Sequence, residues 1–160
     1  MKRIILFPCL IAAFAMLSWA ECPAGSVTVL VNKSNPTDSL SMAQLRKLML
    51  GDVHAWPDKK PVLVVRREAG SPAFQCVLSA VVRMTEAEFK RYQMNAEFRG
   101  DEAVASKAAG SPASAMKLVV DSAGAITVLE GAAAAAVTAN GILKIVRING
   151  KVPGEAGYPL

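Results

Sequence analysis

The chain has 160 residues, of which 52% are apolar and 19% charged, and its formal net charge is +5. This length and composition suit one domain with a sizeable core and exclude a disordered chain. The charge is mild and dispersed and aromatic residues make up only 6%, so a nucleic-acid-binding protein is not expected. One histidine and three cysteines supply little material for a metal site, and we expect neither a metal nor a cofactor.

Residues 1–20 have the pattern of a secretory signal peptide. Lys2 and Arg3 form a charged start, an apolar run follows, and Ala20 is a small residue of the kind that precedes a cleavage site. The run is too short and wrongly flanked for a stable membrane span, and an uncleaved anchor is the alternative. We therefore expect one mature domain over 21–160, periplasmic or secreted and not inserted in the membrane.

The first half of the mature chain is predicted to form a strand, a helix and a second strand. Residues 27–32 are short, β-branched and followed by a polar turn, which is typical of a strand. Ser41 and Gln44 can form a capping box at the start of a helix that Gly51 can end. A second strand is predicted over 61–67 after a polar loop.

Three more helices are predicted from their start signals. Ser71 precedes Pro72, which places serine at a cap and proline at the first helical position, and Ser111 is followed by proline in the same way. Thr85 and Glu88 can form a capping box. Each of these residues precedes a segment that is long enough for a helix.

The C-terminal part supplies two more predicted strands, over 125–129 and 142–148. The polar stretch 100–110 is predicted as a loop, and the alanine run 132–136 is open between a short helix and a packed linker. Strands that alternate with helices indicate a single α/β domain with a largely parallel or mixed sheet.

Cys22 and Cys76 are the two cysteines of the predicted mature chain, and an oxidising compartment would allow them to pair. In a helix over 72–83, Cys76 would lie about 200° from Phe74, on the polar side. An unpaired thiol there would be reactive outside the cytoplasm. A disulfide between Cys22 and Cys76 is one hypothesis, and a cysteine covered by another element is the alternative.

The strongest candidate site is the turn that follows the strand over 61–67. Arg66 and Arg67 end that strand, and Gly70 and Ser71 precede the next helix. Free amides at a helix start attract anions, and an arginine fork can bind an oxyanion through two hydrogen bonds. Ligands of open α/β sheets gather beyond the carboxyl ends of strands. The pattern predicts an anion site, with a solvated sheet edge as the alternative.

Other patterns are weaker candidates for chemistry. The helix start at Ser111 has Lys107 nearby but no arginine. A pair of Ser71 with His54 lacks a third member and a nucleophile elbow, so an enzyme is not expected. Trp56, in the same loop as His54, is expected to anchor the core or its edge.

Landmarks along almost the whole mature chain occur in a family-specific order. The central block runs from Leu45 to Gly51 and Trp56, and the Arg67 and Ser71 turn follows it. The other landmarks are Val31-Asn32, Asn35-Pro36, Leu40-Ser41, Phe74, Phe98-Arg99-Gly100, Gly124-Ala125-Ile126, Asn149-Gly150 and Tyr158-Pro159-Leu160. In this order the sequence resembles the phosphate-binding type of periplasmic substrate-binding proteins of ABC transporters, in a short single-lobe form.

The resemblance implies a single type II periplasmic-binding-protein-like lobe, a mixed sheet flanked by helices. It implies that Arg66, Arg67, Gly70 and Ser71 face phosphate or a similar oxyanion, in association with phosphate ABC transport. Complete proteins of this type close two lobes over the ligand. One lobe alone would therefore bind weakly, and a homodimer or an envelope protein partner would have to supply the other wall.

The resemblance also leaves a second hypothesis open. The Ser-Gly-Thr that is typical of the family is Ser71-Pro72-Ala73 here, so that a hydroxyl and an amide donor are missing. A degenerate lobe of this kind would bind no small ligand and would act as a protein-interaction or envelope-assembly domain.

Overall fold

The computed structural model describes residues 22–23, 25–98, 104–131 and 141–160. The predicted signal peptide and the alanine run 132–136 lie outside these residues. The strands are β1 (Val27–Asn32), β2 (Ser39–Leu40), β3 (Leu63–Arg67), β4 (Ala105–Ala109), β5 (Ala125–Glu130), β6 (Leu143–Ile145) and β7 (Arg147–Ile148). The helices are α1 (Met42–Leu50), α2 (Pro72–Cys76) with a π-helical segment (Val77–Val82) directly after it, α3 (Glu86–Phe98) and α4 (Pro112–Asp121).

The larger sheet is mixed and has the strand order β4-β3-β5-β1-β6. β3 pairs in parallel with both of its neighbours, β4 and β5, whereas β1 runs antiparallel to β5 and β6. β2 and β7 form a separate parallel pair. This mixed sheet with flanking helices confirms the predicted fold class.

Helices cover both faces of the sheet. Because successive side chains of a strand point to opposite faces, neighbouring residues of one strand pack against different helices. Val64 and Val128 belong to a first apolar layer with residues of α1, α2 and the π-helical segment. Val65 and Leu129 belong to a second apolar layer with residues of α4. The turn after β3 therefore lies at a sheet edge between two packed layers.

Local helix signals are confirmed by the backbone. Ser41 and Gln44 form the predicted capping box, and Gly51 ends α1 with a φ of 86°. The side chains of Thr85 and Glu88 exchange hydrogen bonds with each other's backbone amides at the start of α3. Capping satisfies amide groups that a helix start would otherwise leave without partners, which is why these short patterns predict structure well.

Two predicted strands differ at their bounds. The strand predicted over 61–67 begins at Leu63, because Pro61 pairs with Ala55 in an isolated bridge. The strand predicted over 142–148 is divided at Val146, whose amide donates to the Val29 carbonyl oxygen. The division lets the segment serve both sheets, β6 in the larger one and β7 beside β2.

The prediction of a loop over 100–110 is wrong for its second half, because Ala105–Ala109 form β4. Four of the five side chains of β4 are exposed, and β4 contains no β-branched residue. Its strand conformation comes from pairing along all five residues of β3. Local propensity carries no signal for such a strand.

Cys22 and Cys76 are joined by a disulfide, with their Cα atoms 4.9 Å apart. The prediction that Cys76 lies on a polar helix side is wrong, since its side chain is only 6% exposed and belongs to the first apolar layer. The reason is that Cys22 packs against the same layer. The disulfide thus links Cys22, which precedes β1, to the last residue of α2, where the π-helical segment begins.

Tyr158 is buried in the first apolar layer, at 2% exposure. Burial raises its pKa to about 12, because the charged phenolate would lose its solvation. In the unfolded chain the pKa of tyrosine is about 10, so between pH 10 and 12 the unfolded state loses a proton that the folded state keeps. The free energy of unfolding therefore falls as the pH rises from 10 towards 12. We expect Tyr158→Phe to lose less unfolding free energy than the wild type between pH 10 and 12 in urea titrations. Equal losses in both proteins would contradict this.

Candidate functional site

The turn between β3 and α2 leads into the helix start that Ser71 and Pro72 predict. Gly70 adopts a φ of 83°, in the left-handed region, and Ser71 caps α2 in an extended conformation. The Ser71 hydroxyl donates to the Glu68 carbonyl oxygen at 2.8 Å and accepts from the Phe74 amide at 3.3 Å. Its single proton is therefore committed to the turn itself.

Arg67 is held inside the sheet edge, with only 9% of its surface exposed. Its Nη1 donates to the Ala109 carbonyl oxygen at 2.6 Å. Its Nε lies 3.6 Å from Glu130 Oε1, beyond good hydrogen-bond distance, and has no acceptor among the described residues. Glu130 Oε2 is also buried without a donor in the described part of the chain. Nε therefore keeps a hydrogen-bond donor that no described atom uses, and this donor has almost no surface open to solvent.

Arg66 has different neighbours. Its Nη2 donates to Ser106 Oγ at 2.7 Å, and its guanidinium carbon lies 5.7 Å from the centre of the Phe89 ring. Burial lowers the pKa of Arg66, and its charge at neutral pH is unaffected because arginine titrates far above that range. The contact with Phe89 is a cation–π geometry, which compensates part of the lost solvation. The two consecutive arginines therefore do not form a joint fork.

A narrow cavity adjoins this turn, between the sheet and the helices of the first apolar layer. It has room for about one water molecule. Both arginines contribute to its lining, together with six apolar residues, Met49, Val65, Ala73, Phe74, Val77 and Val128. The structure thus brings Arg66 and Arg67 to one cavity beside the Ser71-capped helix start.

The weaker candidates lie elsewhere. Ser111 caps α4 in a capping box with Ser114, and Lys107 lies on the exposed strand β4. His54 is exposed, whereas Trp56 is buried and its Nε1 donates to the Gly124 carbonyl oxygen at 2.8 Å. This burial confirms Trp56 as a core anchor. Within the described ranges no three histidine, cysteine or acidic side chains cluster as a metal site.

Sequence reasoning missed three residues that define the surroundings of the arginines. Glu130 comes directly after the strand predicted over 125–129 and carries the carboxylate that faces Arg67. Ser106 lies in the strand that was predicted as a loop, and Phe89 lies in the helix that was predicted to start at Thr85. Only the position of Glu130, at the end of a strand near the carboxyl end of β3, was a usable signal.

Comparison with known proteins gives matches among solved structures. No family model and no curated protein matches the sequence. PstS from Borrelia burgdorferi matches with a TM-score of 0.62 and 14% identity, over 80% of this chain and 49% of that chain. A substrate-binding protein from Clostridium perfringens with bound phosphate gives 0.60 and 18%, over 80% and 46%. An ABC-type phosphate transport receptor from Vibrio cholerae gives 0.50 and 18%, over 80% and 48%.

These matches show the fold that the resemblance implied. The chain has the fold of part of a periplasmic phosphate-binding protein and spans about half the length of each of these structures. No helix among the described residues is long and apolar enough to cross a membrane.

Proposed function

We propose that the chain is an exported solute-binding-type lobe that binds phosphate or a similar oxyanion weakly, in association with phosphate ABC transport. The observation that carries the proposal is the buried Arg67, whose Nε has no acceptor among the described residues at the carboxyl end of β3. Gly70 and the Ser71-capped helix start lie in the adjoining turn. A protein of the same fold was solved with bound phosphate, which supports this class of ligand.

In this proposal Arg67 supplies the charge that attracts the anion. An oxyanion at Nε would replace the loose contact with Glu130, and the carboxylate would oppose a second negative charge nearby. One lobe also leaves the outer side of the ion hydrated, and water screens the charge contacts. Both effects favour weak binding. A second wall, from a homodimer or an envelope protein partner, would strengthen it.

Export is part of the proposal and depends on residues 1–20. Their charged start and apolar run are the pattern of a secretory signal, which would deliver residues 21–160 to the periplasm or the medium. The disulfide between Cys22 and Cys76 supports this, because such bonds persist in oxidising compartments. The proposal includes no catalytic step.

Thermal unfolding in phosphate tests the proposed site. At about one hundred times its dissociation constant a ligand adds roughly 2.7 kcal/mol, which raises the Tm of a domain of this size by about 5–10 °C. We expect phosphate to produce this rise at matched ionic strength, where chloride does not, and Arg67→Gln to abolish it. Arg147→Gln is the control, because Arg147 is an exposed arginine of β7.

A second variant covers the case in which Arg67→Gln does not fold. Glu130→Gln removes the competing carboxylate and keeps the shape of the side chain, so we expect it to bind phosphate more tightly than the wild type. Equal stabilisation of the wild type and Arg67→Gln by phosphate would refute the proposed site.

No stabilisation at millimolar phosphate would favour the alternative function, a protein-interaction or envelope-assembly lobe without a small ligand. Three observations support that alternative. The Ser71 hydroxyl is committed to its own turn, and Arg67 already contacts Ala109 and Glu130. In addition, Phe98 at the end of α3 is 89% exposed, although it is a large apolar side chain.

A further inference from the structure

We infer that the outward side of α3 is a dimerisation surface, against which a second copy of this chain packs its own α3 in antiparallel orientation. The surface consists of Ala87, Arg91, Met94 and Phe98, and we call this row of residues the α3 seam. The inference specifies the homodimer that the proposed function allows for. It rests on observations of α3 alone and requires no ligand.

α3 is attached to the rest of the lobe by one side. Among the residues of α3 whose burial the structure describes, Phe89 alone is buried, and its ring centre lies 6.1 Å from that of Phe74. The Tyr92 hydroxyl adds a hydrogen bond to Asp52 Oδ1 at 2.8 Å. At 100° per residue, Phe98 lies about 180° around the helix from Phe89. The side of α3 that carries Phe98 therefore points away from the core.

The α3 seam has the spacing of a helix that packs along another helix. Its residues follow one another at intervals of four, three and four, which is the 3.5-residue repeat of a coiled coil. All of them are exposed, Phe98 at 89% and Met94 at 47%. Two of the four large apolar side chains that are exposed in the described part of the chain thus lie in this one row. Apolar residues concentrated on a surface in this way mark an interaction site.

Charge and size favour the antiparallel orientation of the two helices. In a parallel pair each seam residue would meet its own copy, so that two Arg91 guanidinium groups would face each other and repel. In an antiparallel pair one register brings Phe98 opposite Ala87 of the second copy and Arg91 opposite Met94 of the second copy, because Arg91 follows Ala87 and Phe98 follows Met94 by the same four residues.

This register is complementary at each position. The large ring of Phe98 packs over the small side chain of Ala87, and the aliphatic stem of Arg91 covers Met94 while its charge reaches water. Two-fold symmetry makes each of these contacts occur twice. A second copy of the chain therefore fits the α3 seam without any other partner. The contact is small, so the dimer is expected to form only at high protein concentration.

Sedimentation equilibrium without phosphate, from micromolar to millimolar protein, tests the inference. We expect the mass of the wild type to rise from that of one chain to that of two. Phe98→Glu places a charge in the apolar contact and should remain monomeric throughout. Ile142→Glu is the matched control, because Ile142 is a large apolar residue, 49% exposed, that lies outside α3. This control should dimerise as the wild type does.

A pair of substitutions at Met94 tests the orientation. In the antiparallel register residue 94 faces Arg91 of the second copy, so Met94→Glu should dimerise severalfold more tightly than Met94→Lys. In a parallel pair residue 94 would face its own copy. Both variants would then bring like charges together and weaken the dimer to the same degree.

Each contrary outcome overturns a stated part of the inference. A wild type that stays monomeric at millimolar concentration, or that forms assemblies larger than a dimer, would refute the dimer. Dimers of Phe98→Glu as tight as those of the wild type, or equal losses in Phe98→Glu and Ile142→Glu, would refute the α3 seam as the surface. Equal affinities of the two Met94 variants would refute the antiparallel orientation. The measurements contain no phosphate, so none of these results bears on the proposed binding of an oxyanion at Arg67.

Discussion

We expect Cys22→Ala to lower the free energy of unfolding by about 4 kcal/mol, because the disulfide to Cys76 closes a long loop. The two cysteines are 54 residues apart in the sequence. A cross-link over such a distance removes many conformations from the unfolded chain, and the chain-entropy relation gives about 4 kcal/mol for it. At 2–4 °C per kcal/mol, the Tm should fall by roughly 8–16 °C. Cys22 is the better position to change, because it is only partly buried.

Urea unfolding of oxidised protein measures this effect, with Cys76→Ala and the double variant as controls. Both single variants break the same bond, so the double variant should be little less stable than Cys76→Ala alone. Reduction of the wild type should bring it to the stability of the single variants. A Cys22→Ala variant within 1 kcal/mol of the oxidised wild type would show that the bond contributes little.

Gly124→Ala is expected to destabilise the protein by about 3 kcal/mol or more, as an overpacked core position does. A Cβ at this position would lie 2.0 Å from the Pro61 carbonyl oxygen and 3.5 Å from Trp56 Cδ1. The clash is with backbone, which cannot rotate away. The Gly124 carbonyl oxygen also accepts hydrogen bonds from Trp56 Nε1 and from the Leu63 amide. A shift of this segment would break both.

Gly110→Ala is the matched control for Gly124→Ala. Among the described residues its Cβ would meet only Glu68 Oε2, at 3.8 Å, and its backbone lies outside the left-handed region. We expect a change within about 0.5 kcal/mol in chemical unfolding. If both glycine variants lose the same stability, the close approach of Gly124 to Pro61 is not the cause.

Features set by neighbouring residues could be predicted from the sequence. The capping boxes at Ser41 and Thr85 and the helix end at Gly51 each depend on residues within one or two turns. The turn at Asn149 and Gly150 likewise depends on two adjacent residues, and both adopt positive φ values. These patterns, with the order of strands and helices, were enough to predict the fold class.

Features set by distant partners could not be predicted. β4 is a strand only because its backbone pairs with β3, and nothing in its own residues favours that conformation. The burial of Cys76 depends on Cys22, which lies far away in the sequence. Helical phase alone therefore placed Cys76 on the wrong side.

The candidate site was predicted in position but not in detail. Its place at the carboxyl end of β3 follows from a general property of α/β sheets. The partners of Arg66 and Arg67 come instead from β4, β5 and α3, which the local sequence of the turn does not specify. These partners determine which hydrogen-bond donors of the arginines a ligand could use.

The pairing of β1 also determines when the protein can fold during synthesis. β1 spans residues 27–32, and its partner strands are β5, which begins at Ala125, and β6, which begins at Leu143. A ribosome must therefore add about a hundred residues before this strand, buried in the finished sheet, acquires its first neighbour. Pairing across such a separation is slow, because the loop must close before the contacts form. Until those last strands are made, the backbone donors and acceptors of β1 lack the partners that they have in the finished sheet.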